Sequence, residues 1–271
     1  MNWRAIFAIV RKDLKVVRQN KGVVVPFIIV CLVFFVVLPG LSALLPALVN
    51  GVGADAGDVE KLIAGLPAGL QQELAGLDMS QKATMFFLVY MLAPMFLMVP
   101  LMVASTVAAD SFAGEKERKT MEALLYTPTT DRELFVAKLL SAWLAAIAIA
   151  LVGFGLYTVT ANVAAWPQMQ HIIFPNAMWL VMILWVVPAV AGLGLSVMVL
   201  ASARAQGFQD AYQIGGVVVL PVVALFYGQI AGVLYLNIIV VLLLGLVIWL
   251  LNGLLIWLGS RSFRRNRLLA A

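Results

Sequence analysis

One passage of the chain is densely charged, and its side chains are the first candidates for chemistry. It spans residues 110–138 and reads DSFAGEKERKTMEALLYTPTTDRELFVAK, with six acidic and five basic residues. The segments on either side of it are long and apolar. Opposite charges three or four residues apart, such as Glu115 with Lys119 and Arg118 with Glu122, stabilise a helix. We therefore expect a short charged helix here, in a segment that is exposed to water and contacts a soluble partner.

Phosphate binding and catalysis need residues that this passage lacks. The run G-E-K-E-R-K-T at residues 114–120 superficially resembles a phosphate-binding loop. It has no second glycine directly before Lys-Ser/Thr, which would let backbone amides surround the phosphates. The sequence contains no H-E-x-x-H run, and Cys31 and His171 are its single cysteine and histidine. A zinc site, a redox pair or an intrachain disulfide needs more such ligands than this. We expect no catalytic residue, metal or cofactor bound by this chain.

Turn signals divide the charged passage into two helices. Thr127 precedes Pro128, and a residue before proline is disfavoured in the helical region. Thr130 then begins the sequence T-D-R-E, in which Glu133 completes a capping box that predicts the start of the next helix. The pattern predicts a short charged helix, a turn and a long apolar helix.

This ordered run closely resembles the cytoplasmic loop of ABC-2 type transporter permeases, which are the membrane subunits of ATP-driven exporters. In that family the loop holds a coupling helix that docks into a cleft of the ATP-binding subunit. The resemblance implies that ATP and Mg are bound by a separate partner subunit, present in two copies. A solvated charged loop between two spans is the alternative reading of the same residues. The residues that the resemblance assigns to docking are Glu115, Lys116, Glu117, Lys119, Thr120, Glu122, Leu124, Leu125, Tyr126, Thr127 and Pro128.

Composition places the whole chain in a membrane. Of its 271 residues, 63% are hydrophobic and 11% charged, whereas soluble domains carry about 25% charged residues. We expect an all-α, polytopic bundle of six transmembrane helices, because a helix satisfies its own backbone hydrogen bonds in lipid. The net charge of +5 implies no nucleic-acid partner, since the basic residues gather beside apolar segments.

The N-terminal residues 1–22 read as an amphipathic helix at the membrane surface. Apolar residues recur at three- and four-residue steps, and cations occupy the neighbouring arc. The resembling family often has an elbow helix here, although a simple basic membrane anchor would use the same residues. Membrane lipid is thus an expected partner. The residues expected at the interface are Trp3, Arg4, Phe7, Arg11, Leu14 and Arg18.

Six apolar segments follow, and the basic residues orient them. Of the 18 lysines and arginines, 16 lie in the segments that would face the cytoplasm if both ends are inside. This predicts cytoplasmic termini, an outer segment at 49–83, a cytoplasmic loop at 110–133 and a bacterial or archaeal plasma membrane. The predicted spans are 23–48, 84–109, 134–159, 177–201, 212–234 and 237–258.

The middle of each predicted span lacks Asp, Glu, Lys and Arg, which argues against a proton-coupled transporter. Softer polar groups and methionines are present instead, and three methionines of the second span share one helical face. Ordinary packing explains such a face, and so does a path for a flexible apolar or amphipathic cargo. The candidate path residues are Tyr90, Met95, Met98, Met102, Tyr227 and Gln229.

Together these features favour an exporter permease coupled to ATPase subunits through residues 110–138. A bundle of six spans is small, and the resembling family works as two halves, which implies a second copy of this chain or a homologous permease. The rival interpretation is a membrane anchor or sensor that docks a cytoplasmic partner through the same loop without transport. An intramembrane enzyme ranks last, because no catalytic constellation is present.

Overall fold

The computed structural model describes residues 2–44, 65, 68–118, 130–202, 204–205, 207–231 and 233–262. Regular structure in these residues is helical throughout, and six of the helices are long and apolar enough to cross a membrane. This confirms the predicted all-α membrane bundle. The helices are α1 (Trp3–Gln19), α2 (Lys21–Leu44), α3 (Ala68–Glu73), α4 (Met79–Glu117), α5 (Asp131–Met169), α6 (Ala177–Ser202), α7 (Phe208–Ile230) and α8 (Ile238–Ser262).

Helix α5 begins where the sequence predicts and extends beyond the end of the predicted span. Thr130 is its N-cap, and the reciprocal bonds of the capping box with Glu133 are both present. The helix continues through Pro167 to Met169 and ends at Gln170, which adopts a left-handed conformation. The predicted span at 134–159 is therefore part of a longer helix.

Three prolines in membrane helices each follow a π-helical segment. The pairs are Val33–Val37 with Pro39, Phe86–Met91 with Pro94, and Met182–Val186 with Pro188. Proline has no N–H and its ring crowds the carbonyl four residues before it, which in each pair lies inside the π segment. A π turn widens the helix at that point, so the chain passes the proline without a break.

Aromatic side chains bond backbone carbonyls in and beside these irregular turns. The Trp179 indole N–H donates to the Val89 carbonyl at 2.8 Å, and the Tyr157 hydroxyl donates to the Leu88 carbonyl. The Trp143 indole N–H donates to the Pro188 carbonyl at 2.9 Å. Because lipid offers no hydrogen bonds, these bonds fix α4, α5 and α6 to one another at their irregular turns.

Helices α4 and α6 form the centre of the bundle, and the other spans surround them. Their apolar residues are mostly buried, whereas α2, α7 and α8 leave broad apolar faces exposed. A glycine permits the close crossing of α4 and α6, because a Cβ atom on Gly194 would lie 2.8 Å from the Leu101 carbonyl oxygen. Small residues at such crossings are a general feature of membrane helices.

Helix α1 packs along the first turns of α5. Ile6 and Val10 are buried against Ala137. The Asn2 side chain caps α1, and the Asn2 backbone N–H donates to Glu133, the capping residue of α5. The starts of α1 and α5 are thus tied together, which brings the polar side of α1 to the base of the charged passage.

Candidate functional site

A fully buried lysine lies where the charged passage joins the bundle. Lys138, on α5, has no exposed side-chain surface. Its ammonium group donates to a carboxylate oxygen of Glu115 and to the backbone carbonyl of Ser111, both at the end of α4. It also lies 5.6 Å from the centre of the Phe112 ring, a distance at which the ring face attracts a cation. Lys138 therefore fastens α5 to the last turns of α4.

Glu115 also forms an ion pair with a second cation, Lys12 of α1. Its other carboxylate oxygen lies 3.0 Å from the Lys12 ammonium group, and Lys12 is also 3.2 Å from Asp13. The Lys12 side chain is 44% exposed, whereas that of Glu115 is 9% exposed. The bonds with Glu115 and Asp13 raise the pKa of Lys12 in spite of its partial burial, which alone would lower it. Glu115 thus links α1, α4 and α5.

Asp13 completes this charge cluster, which consists of Lys12, Asp13, Glu115 and Lys138. Asp13 is buried, and the Ser141 hydroxyl donates to it at 3.4 Å. Burial raises the pKa of Asp13, while the nearby positive charges of Lys138 and Lys12 partly oppose that rise. The cluster combines two carboxylates with two ammonium groups, so its charges balance when all four are ionised.

The end of α4 is irregular at the cluster, and no proline explains it. Residues Asp110–Gly114 form a further π segment. Arg118 bonds back across it, with one guanidinium nitrogen 2.9 Å from an Asp110 carboxylate oxygen. A Cβ atom on Gly114 would lie 2.9 Å from that oxygen and 3.2 Å from Arg118. Glycine at 114 therefore allows this ion pair to close over the turn.

Bonds on the opposite side of the passage reach the connection between α6 and α7. The Glu117 carboxylate accepts from the Phe208 backbone N–H at 2.9 Å, and Lys116 donates to the Ala205 carbonyl at 3.4 Å. Ala113 is buried together with Ala205 and with Ala211. The base of the charged passage therefore contacts α1, α5, the connection between α6 and α7, and the start of α7.

Comparison with known proteins identifies the family of the chain. The sequence model of the family described as ABC-2 family transporter protein matches residues 7–267. The chain belongs to this family. It is a multi-pass membrane component of a transporter, with a permease role. No curated protein and no solved structure matches the chain.

The docking residues expected of this ABC-2 permease are only partly within the described structure. Glu115 is buried in the charge cluster, Lys116 is half-buried and Glu117 is exposed. Docking by these residues stays a prediction, and the carboxylate of Glu115 already has partners within the chain. The other predicted docking residues, which lie outside the described residues, are Lys119, Thr120, Glu122, Leu124, Leu125, Tyr126, Thr127 and Pro128.

The interface residues expected on α1 differ in exposure. Leu14 is half-buried, and the others (Trp3, Arg4, Phe7, Arg11 and Arg18) are exposed. The apolar residues of the permease's first helix therefore fall into two groups. Its inner residues, Ile6 and Val10, face α5, while Trp3 and Phe7 point away from the bundle. Contact of the outward residues with lipid stays a prediction.

The candidate path residues of the permease do not share one surface. Tyr90 is buried, and its hydroxyl donates to the carboxylate of Glu73, the last residue of α3. Met95, Met98 and Met102 are half-buried along α4. On α7, Tyr227 is 64% exposed, whereas Gln229 is buried with its amide unpaired among the described residues. Their role in a substrate path stays a prediction.

Sequence reasoning missed most of the charge cluster. Lys12, Asp13, Lys138 and Ser141 were not expected to act with Glu115. Two signals were available. Asp13 is the one acidic residue in an otherwise basic helix, and Lys138 is a single cation within the first turns of a long apolar segment. A charge in such a setting is either solvated or paired, and here both are paired.

Proposed function

We propose that this permease is half of an ATP-driven exporter that works as a dimer with two ATP-binding subunits. These subunits would dock on the cytoplasmic side, at residues 110–138. The observation that carries the proposal is the charge cluster at the base of that passage. Family membership supports the partnership, because ABC-2 permeases normally work with ATP-binding subunits.

The cluster suits the transmission of force. Lys138 and Glu115 join α5 to α4 through a bond that is shielded from water. Lys12, whose side chain is 44% exposed, joins Glu115 to α1. Charged pairs at low dielectric resist separation more strongly than exposed pairs. When nucleotide binding brings the two ATPase subunits together, displacement of the docked passage would move α1, α4 and α5 as one body. The substrate path would change shape at the same time.

The exposed apolar faces of the outer spans support a dimer. On α7, Val217, Leu220 and Tyr227 are each more than 60% exposed. A second copy placed against this face would bury it and enclose Tyr227 between the two halves. A path of this kind would be lined by apolar and weakly polar groups, which suits an apolar or amphipathic cargo.

Co-purification tests the docking assignment. The tagged permease is isolated in mild detergent, its partners are identified by mass spectrometry, and ATP turnover of the product is measured. We expect a nucleotide-binding subunit in equal amount. The double variant Glu122→Arg with Leu125→Asp should lose that subunit and its turnover while still inserting in the membrane.

The matched control applies the same two changes to the outer segment, as Glu60→Arg with Leu62→Asp. It should retain the subunit, because the predicted topology places these residues on the other side of the membrane. Unchanged co-purification of the Glu122/Leu125 variant would refute the docking assignment. A wild-type chain that is isolated alone would instead favour a membrane anchor or sensor without transport.

A further inference from the structure

A groove of about 520 Å³ lies between α1, α2 and α5. Val17 of α1, Phe27 and Cys31 of α2, and Ala148 of α5 are among its lining residues. Phe35 closes the end of the groove that is far from Arg18, and its ring packs where a Cβ atom on Gly153 would lie. Its walls are almost entirely apolar, and its volume falls in the range of small-molecule sites.

The long side of the groove opens toward lipid. Ile28 and Leu32 on α2, and Val152 and Leu156 on α5, line its edges and are between 44% and 66% exposed. All four lie in helices long and apolar enough to span a membrane. A ligand would therefore reach the groove from within the bilayer.

One end of the groove is cationic. Arg18 is among the lining residues and is exposed. The chain then turns at Asn20, and Lys21 begins α2, whose first turn contains no acidic residue. Asn20 already caps the backbone N–H groups of Gly22, Val23 and Val24. An anion here would therefore be held by the side-chain cations and favoured by the positive end of the helix dipole. An apolar groove that ends at Arg18 and the start of a membrane helix is complementary to an acyl chain with a phosphate headgroup.

We propose that this groove is a binding site for an anionic phospholipid, with one acyl chain along α2 and α5 and its phosphate at Arg18 and the start of α2. The amphipathic pattern of α1 predicts only that this helix lies near the membrane surface. The groove adds a specific ligand to that prediction. The bound lipid would fill the space between α1 and α5 and stabilise the contact that also carries the charge cluster.

Cys31 provides a reporter inside the groove, because it is the single cysteine of the chain. The full-length protein is purified in detergent, and the rate of Cys31 alkylation by an apolar maleimide is measured while lipid is added. Phosphatidylglycerol should slow alkylation at lower concentration than phosphatidylcholine with the same acyl chains. Native mass spectrometry of the same samples should show one phosphatidylglycerol retained per chain.

Two variants and one control separate the contributions. Arg18→Gln should weaken the binding of phosphatidylglycerol about fivefold, which is the effect of one basic residue near an anionic headgroup. It should also remove the preference for phosphatidylglycerol over phosphatidylcholine. Ala148→Trp should fill the groove and abolish lipid retention. Lys15→Gln removes an exposed cation from the same helix at a residue that does not line the groove, and it should leave the preference unchanged.

Several outcomes would overturn the proposal. Equal protection by both lipids would show an apolar groove without headgroup recognition. Retention of phosphatidylglycerol that persists in Ala148→Trp would place the lipid elsewhere. Protection of Cys31 that depends on protein concentration and not on lipid would show that a second copy covers the groove. If Cys31 proves unreactive throughout, native mass spectrometry decides the same questions.

Discussion

Replacing Lys138 by methionine tests the charge cluster most directly. Methionine keeps much of the length of the side chain but removes the charge and the donors to Glu115 and Ser111. Breaking a buried pair by removing one partner costs about 3–5 kcal/mol, because the other charge stays buried. Lys12 remains beside Glu115, but its side chain is 44% exposed, and such a pair contributes only about 0–1 kcal/mol. We therefore expect Lys138→Met to destabilise the protein by about 3 kcal/mol or more.

The decisive comparison is the double variant Lys138→Met with Glu115→Gln. It removes both members of the pair, so no uncompensated charge from this pair remains. We expect it to be more stable than Lys138→Met alone, with a loss below about 2 kcal/mol, since replacing both partners of a buried pair is often nearly neutral. The measurement is reversible unfolding of the purified chain in mixed micelles with increasing SDS, followed by circular dichroism and tryptophan fluorescence.

The control is Lys116→Met, which removes a half-buried lysine of the same passage that donates to the Ala205 carbonyl at 3.4 Å. Its loss should stay below about 1 kcal/mol, the usual value for a single weak hydrogen bond. Additive losses in the double variant would refute the reasoning, because independent sites add and paired sites do not. A Lys138→Met variant as stable as wild type would also refute it.

Three further predictions follow from single features. Burial raises the pKa of Asp13 above 3.8, so the stability contributed by its protonated form is complete below pH 3.8 and is lost as pH rises through the folded-state pKa. At neutral pH, Asp13→Asn should therefore destabilise the protein less than Lys138→Met. Unfolding measured at pH 7 and pH 4 should show that the stability of wild type rises relative to that of Asp13→Asn as pH falls. Gly194→Ala should destabilise by about 1–3 kcal/mol because its Cβ would overlap Leu101, while the same change at Gly155, where nothing lies within 4 Å, should stabilise by up to about 1 kcal/mol in the same unfolding assay. A tag after Gly57 should be accessible outside intact cells and a tag after Ala271 only after permeabilisation; the reverse pattern would refute the predicted orientation.

The fold was predictable because its main signals are local. Six apolar segments report six membrane helices by composition alone, and Thr130 with Glu133 marks the start of α5 through neighbouring residues. The family resemblance likewise depends on a contiguous run. Each of these signals can be read without knowing which helices are neighbours.

The charge cluster was not predictable in the same way, because it depends on tertiary contacts. Lys12 and Glu115 lie 103 residues apart in sequence and meet only when α1 packs on α5. The π segments are a second case. A proline in a span predicts a disturbance of the helix, but whether it produces a kink, a break or a π turn depends on the side chains around it. Here Trp179 and Tyr157 bond carbonyls of the turn before Pro94.

The π segment at Asp110–Gly114 has a consequence for how the charged passage can move. A π turn contains one residue more than an α turn. If these residues returned to regular α geometry, Glu115, Lys116 and Glu117 would rotate by about 100° around the helix axis and shift by about 1.5 Å along it. The rotation would carry Glu115 away from Lys138 and Lys12, so the ion pairs stabilise the π-helical form of this segment. Loss of the extra residue from this π turn would therefore rotate the end of α4 by one residue about its own axis, while the part of the helix before Asp110 stays in place.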